Sequence, residues 1–208
     1  MSSARIPPAL RSMVLAMLVA VGAGGGAYIA EAERGAAPLT PYLQAVADDQ
    51  TTSDAVKVAM VLGSFFESSF RHIGTPYIDK LGKGQPLTVC NGITGAGVRA
   101  GRYYTEADCY ALEKVRYIQA EEYLAKSIPK WVDMNVLQQA SFLDFAHNKG
   151  TGAFQTSTMR RLLLAGNVVA ACRQNERWVK GTQNGVSVVL PGLTVRANAN
   201  SDLCAEGL

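Results

Sequence analysis

The sequence predicts an α+β fold with segregated lobes, preceded by an N-terminal hydrophobic helix. Three observations carry this reading. Apolar residues recur at helical spacing from residue 54 and again from residue 105 onward. Between these stretches, residues 71–103 hold glycines at 74, 82, 84, 92, 95, 97 and 101 with Pro76 and Pro86, around short β-prone runs. The order is therefore helix, small β region, then helices. Strands and helices do not alternate, which argues against an α/β sheet.

The first element is an uncharged run, residues 12–30, with Arg5 and Arg11 before it and Glu31 and Glu33 after it. It is roughly long enough to cross a bilayer core, at about 1.5 Å per residue. The flanking charges place the N-terminus inside and the remainder outside. About half of the run is Ala or Gly, including Gly24, Gly25 and Gly26. Small residues bury little area and glycine weakens a helix, so the run suits a cleaved signal peptide or a marginal, releasable anchor better than a permanent one. A buried Ala/Gly helix of a soluble core is the remaining reading.

Residues 35–53, with Pro38 and Pro41, read as a linker containing at most a short helical turn. Asp54 is a candidate cap for the helix AVKVAMVLGSFFESSF, in which Val58, Val61, Leu62, Phe65 and Phe66 share helical spacing. Glu67 lies near its end. Thr105 caps a long helix that stops at Pro129. Residues 131–147 form another, closed by Asn148, Lys149 and Gly150. Ser157 caps TMRRLLLAG, residues 167–179 continue as helix, residues 186–193 read as an extended connection, and the tail to Cys204 as a last helix. The expected parts are residues 1–34 as the hydrophobic segment, 35–53 as linker and 54–208 as the main domain.

A chain of 208 residues bounds the molecule to one domain plus an appendage. With 48% hydrophobic residues it can build a core. The net charge of +3 and 8% aromatic content exclude a dedicated nucleic-acid binder and a base-stacking platform. Mild positive charge still favours an anionic cell-wall polymer or membrane surface. The four cysteines, Cys90, Cys109, Cys172 and Cys204, are dispersed, and His72 and His147 are the only histidines. That pattern suits disulfides in an oxidising compartment rather than a zinc site, so no metal is expected.

Phosphate-loop (GxxxxGK followed by Ser or Thr), GxSxG and HExxH motifs are absent. What remains is a carboxylate pair. Glu67 ends an apolar helix, where burial would favour a protonated acid. Asp79 sits in a turn-rich segment, where a carboxylate stays ionised. Two such groups across a groove are the working parts of glycoside hydrolysis, and Thr88 can hold the water that the second one activates.

The residues Glu67, PYID (76–79) and LTVCNGITG (87–95) together resemble the active-site signature of phage-type lysozymes, glycoside hydrolase family 24. The similarity continues in order through YTEADC (104–109), SFLDFAHNKGTGAFQTST (141–158), AACRQNERW (170–178) and PGLTVR (191–196). The N-terminal run resembles the signal-arrest-release segment of certain phage endolysins, which also carry cysteines near these four positions. The resemblance implies a lysozyme-like fold, with a small β-hairpin lobe and a mainly helical lobe. It implies hydrolysis of the β-1,4 bond between N-acetylmuramic acid and N-acetylglucosamine in peptidoglycan, leading to host lysis. Glu67 would be the proton donor, Asp79 the second carboxylate and Thr88 the water-positioning hydroxyl, with no cofactor. Residues 12–30 would tether the chain in the bacterial inner membrane before release to the periplasm, as a monomer. Four cysteines allow three pairings; the favoured one joins Cys90 to Cys109, bracketing the β region, and Cys172 to Cys204, tying the tail. Arg196 resembles a family arginine near the groove, with a surface salt bridge as the other reading. Ser68 replaces a usual family glycine, and the Glu67–Asp79 and Asp79–Thr88 spacings exceed the family's by a few residues in loop sequence. These departures leave two other readings: a catalytically inactive, membrane-tethered wall-binding protein, and a lytic transglycosylase working with Glu67 alone.

Overall fold

The computed structural model describes residues 5–23, 37–80, 84–183 and 185–208. Its first helix, α1 (Pro8–Ala20), starts with Pro8 in the first turn, where the missing N–H does no harm. Leu10, Val14, Met17 and Leu18 share one face and are fully or almost fully buried in the main core. They pack against α3 (Asp54–Ser68). The first half of the expected membrane run is thus a core helix here, and residues 24–30 lie outside the described residues. At about 1.5 Å per residue, α1 falls well short of a bilayer's width. Among the described residues no helix is long and apolar enough to cross a membrane.

The expected linker differs from the structure. Thr40 accepts a hydrogen bond from the Leu43 N–H at 3.2 Å and opens α2 (Pro41–Asp48), which buries Tyr42, Leu43, Val46 and Ala47. Pro41 marks a helix start rather than a break, because its φ is preset for the first turn. Ser53, not Asp54, caps α3, accepting from Val56 N–H at 3.1 Å. Asp54 sits in the first turn, where its charge meets the helix dipole favourably. Helix α3 is the central rod, with Val56, Val58, Val61 and Leu62 showing no exposed surface.

The β region is a three-stranded antiparallel sheet: β1 (Tyr77–Ile78), β2 (Leu87–Val89) and β3 (Ile93–Thr94). Thr88 pairs with Tyr77 on one side and Thr94 on the other. A capping box of Thr105 and Asp108 then starts α4 (Glu106–Ser127), which ends before Pro129 as expected.

The helical body follows. An Asn135–Gln138 capping box starts α5 (Val136–Lys149), so residues 131–133 form a separate 3₁₀ turn instead of its first turn. Helices α6 (Thr151–Gln155), α7 (Thr158–Leu164) and α8 (Val168–Arg173) are short, and Ser157 caps α7 as read. The helix expected over 167–179 ends at Arg173 and continues as a 3₁₀ turn, Gln174–Arg177. Strands β4 (Lys180–Gln183) and β5 (Val186–Val189) form a hairpin where an extended connection was expected, and Pro191 opens α9 (Pro191–Glu206).

Disulfides join Cys90 to Cys109 and Cys172 to Cys204, the favoured pairing, and leave no free cysteine. The segment before α1 is tied to α9 through Arg5. Arg5 donates from its backbone N–H and guanidinium to the buried Asp202, at 2.6 to 3.1 Å, and reaches Glu176 at 2.6 Å.

Candidate active site

An open cleft of about 530 Å³ separates the β region from the helical body. Glu67 and Asp79 both line it, with Asn91, Gly92, Arg116, Tyr123, His147 and Asn148. Glu67 reaches it from the last turn of α3. There the chain turns sharply, because Ser69 and Phe70 both adopt left-handed backbone conformations, at φ 52° and 62°. Asp79 follows directly on β1, and its N–H donates to Pro86 O at 3.0 Å. The Tyr77 hydroxyl is pushed up in pKa by burial, then by the negative charges of Asp79 and Glu67. One phenol thus feels both carboxylates.

Thr88 sits one strand further in. It is buried on the central strand, and its hydroxyl donates to the same Pro86 carbonyl, at 3.1 Å, that accepts the Asp79 N–H. Asp79 and Thr88 therefore converge on one acceptor, although Thr88 itself is not part of the cleft wall.

The surroundings of Glu67 differ from the expected apolar packing. Its Oε1 accepts from Arg196 Nη1 at 2.5 Å. Arg196, on α9, is buried and also gives Nε and Nη2 to Asp144 of α5, at 2.8 and 2.6 Å. Asn200, one turn along α9, donates to Asp144 at 2.5 Å. The Arg196 guanidinium also lies 5.2 Å from the centre of the Phe66 ring, a cation–π approach. Burial works against the charge on Arg196, but Asp144 and Glu67 outweigh it and raise its pKa. The last turn of α3 faces a charged helix, α9, which helical spacing within α3 could not disclose.

His147, on the cleft, and several groups away from its lining serve packing. The His147 ring stacks on Tyr117 at 4.3 Å, and its pKa is lowered to about 4 by burial and by the Arg196 charge. A neutral imidazole at neutral pH follows. His72 bonds the Tyr104 carbonyl at 2.8 Å. Trp131 is buried and Trp178 packs edge-on against Phe145, so both serve the core. Gly63 admits Tyr117: a Cβ there would sit 2.0 Å from the Tyr117 hydroxyl.

The phage lysozyme family model matches residues 71–200, more than half of the chain. The chain belongs to the phage lysozyme family. The matched stretch contains Asp79, Thr88 and Arg196 and begins just after Glu67. A SAR-endolysin of Bacteriophage PS119 is 34% identical over 134 residues, which cover 64% of this chain and 74% of that protein. Among solved structures, the endolysin from Escherichia coli O157:H7 phage FAHEc1 superposes with a TM-score of 0.63 at 21% identity, covering 77% of this chain and 96% of that one. The active form of P1 phage endolysin Lyz gives 0.62 at 20% identity, covering 78% and 88%. The lysozyme-like α+β fold expected from the sequence is the observed one.

Beside the cleft of this phage lysozyme, two buried acids were not singled out by sequence, Asp144 and Glu113. Each carries a signal. Asp144 interrupts the apolar run SFLDFA on a helix, and Glu113 falls on the buried stripe Cys109, Glu113, Tyr117, Ala120, Leu124 of α4. An acid at a core-facing position asks for a buried partner. Cys90, Cys109 and Glu113 cluster closely enough to suggest a metal site, but both sulfurs are committed to a disulfide.

Proposed function

We propose that this phage lysozyme cleaves peptidoglycan with Glu67 and Asp79, at the β-1,4 bond between N-acetylmuramic acid and N-acetylglucosamine. The placement of both carboxylates on one open cleft carries the proposal. Glu67 delivers a proton to the glycosidic oxygen as the bond breaks. Asp79, on the opposite lobe, activates water or steadies the oxocarbenium-like charge. Thr88 donates to Pro86 O, the carbonyl that also accepts the Asp79 N–H, and so fixes the backbone that carries Asp79 from behind the cleft wall. Arg196 bonds Oε1 and holds the Glu67 carboxyl group in one orientation, which leaves Oε2 to carry the proton that is donated. No step needs a metal or an organic cofactor.

The test uses the oxidised, folded protein on isolated peptidoglycan, with turbidity and released sugar ends as readouts. Reducing ends should appear, and Glu67→Gln should lower turnover by roughly a hundredfold or more. Unchanged turnover in that variant would remove Glu67 from the chemistry. Anhydro ends would indicate a transglycosylase, and wall binding without cleavage an inactive binder.

We further propose that residues 12–30 first hold the chain in the inner membrane as a monomer, and that the body works in the periplasm after the segment leaves the bilayer. Support comes from the uncharged Ala/Gly-rich run between Arg11 and Glu31, from the SAR-endolysin relatives and from the two disulfides. On this reading the docked α1 describes the released form, because Leu10, Val14 and Met17 cannot contact lipid and α3 at once. Leucines at Gly24, Gly25 and Gly26 should strengthen the anchor and block release. Wild-type fractionation and lysis by that variant would refute the tether.

A further inference from the structure

The turn between β2 and β3 walls the cleft beside Glu67, yet its own backbone is poorly suited to hold it there. Cys90 and Gly92 both lie in the left-handed region, at φ 56° and 81°. For Cys90, which carries a Cβ, that conformation is strained. The residue between them, Asn91, faces the cleft but sends both its backbone N–H and its side-chain Nδ2 inward. They reach the two oxygens of one carboxylate, Glu113, at 3.0 and 3.1 Å. The third donor to that carboxylate is the Tyr42 hydroxyl of α2.

Glu113 is buried, and none of these three partners is a cation. Burial raises its pKa, against the lowering effect of the three hydrogen bonds. If packing were the whole requirement, an apolar side chain at this stripe position would be less costly to bury. What the carboxylate alone provides is two acceptor atoms that take the two Asn91 donors as a pair. The fastening is local and directional. Cys109, bonded to Cys90, lies one turn before Glu113 on the same face of α4. The disulfide restricts how far the turn can move, and the carboxylate sets its rotation. Gly92, next in the turn, lies beside Glu67: a Cβ there would be in ordinary contact, 3.8 Å from Glu67 Oε2.

We infer that Glu113 is a positioning residue of this active site: through its paired hydrogen bonds to Asn91 it holds the Cys90–Asn91–Gly92 turn against Glu67, with Tyr42 orienting the carboxylate. This rests on Glu67 being the proton donor. Asn91 lines the cleft, and Glu113 acts through it.

The experiment compares Glu113→Leu, Glu113→Gln and Tyr42→Phe with the wild type and with Glu67→Gln in the full oxidised chain. Each folded variant is assayed on soluble peptidoglycan fragments, well below its own melting temperature. Glu113→Leu removes both acceptors and should lower kcat by roughly tenfold to a hundredfold, with KM changed little. Glu113→Gln keeps one acceptor for the Asn91 N–H and should fall between Leu and wild type. Tyr42→Phe should give the smallest loss. A lowered melting temperature with wild-type kcat in Glu113→Leu would make Glu113 merely structural and overturn the inference. If Glu113→Leu does not fold, wild-type kcat in Glu113→Gln overturns it equally. An active Glu67→Gln would instead overturn the assignment of Glu67, so the two failures are distinguishable.

Discussion

The β region and the helical body line the same cleft and are held together by opposite means. In the body, α3 and α5 meet through side chains such as Val58, Leu62, Phe142 and Leu143, all without exposed surface. In the β region the strands are two or three residues long, and Ile78 is 51% exposed. Such strands bury little apolar area and are marginal alone. The sheet is instead fastened at points: the Cys90–Cys109 bond, the Glu113 carboxylate on Asn91, and the hydrogen bond from Cys90 N–H to Ile73 O at 2.8 Å. The comparison teaches where polar groups can be removed without wide damage. In the body a polar group is an insertion into a packed interior, so breaking it exposes a charge to the core. In the β region a polar or covalent fastener is the structure's own support, so breaking it loosens one lobe.

The largest expected effect lies in the body. Arg196→Met leaves Asp144 buried with only Asn200 to bond it, and should cost about 3–5 kcal/mol of stability in denaturant unfolding. Arg196→Met with Asp144→Leu should recover much of that loss, because it removes the stranded charge as well. Failure of the double variant to recover would show that the network is not a charge buried in a packed interior, and would weaken the contrast.

A smaller effect is expected in the β region. Cys90→Ser with Cys109→Ser opens a loop of sequence separation 19 and should cost about 3 kcal/mol. Hydrogen exchange should rise in residues 73–95 well before it rises in α3 and α5. A uniform rise across both lobes would mean that the two are not fastened separately.

The sequence disclosed most of what is local. Helical spacing marked α3 and α4, Thr105 marked the start of α4, and the dense glycines marked the β region. Misses followed a physical pattern. Thr40 and Pro41 looked like linker because eight residues carry little periodicity, yet they cap a helix whose burial depends on partners distant in sequence. The β4–β5 hairpin escaped notice because most of its residues are exposed and have no apolar alternation to reveal a buried face. At the site, Glu67 and Asp79 were legible from chemistry and from family resemblance. The Arg196 link to Glu67 joins residues 129 positions apart, so no local pattern could select it over a surface pair.

The sequence alone determined the fold class, the positions of the long helices, the disulfide-forming set of cysteines and the identity of the candidate carboxylates. These depend on residue type, on spacing within one element, or on order along the chain. Tertiary structure decided what each candidate touches: that Glu67 faces a guanidinium, that Asp79 and Thr88 share Pro86 O, that Glu113 takes hold of the cleft turn, and that α1 packs on α3. The reason is that burial and hydrogen-bond partnership belong to pairs of elements. A run such as residues 12–23 has the same apolar character beside lipid or beside α3, and only the packed body provides the second surface.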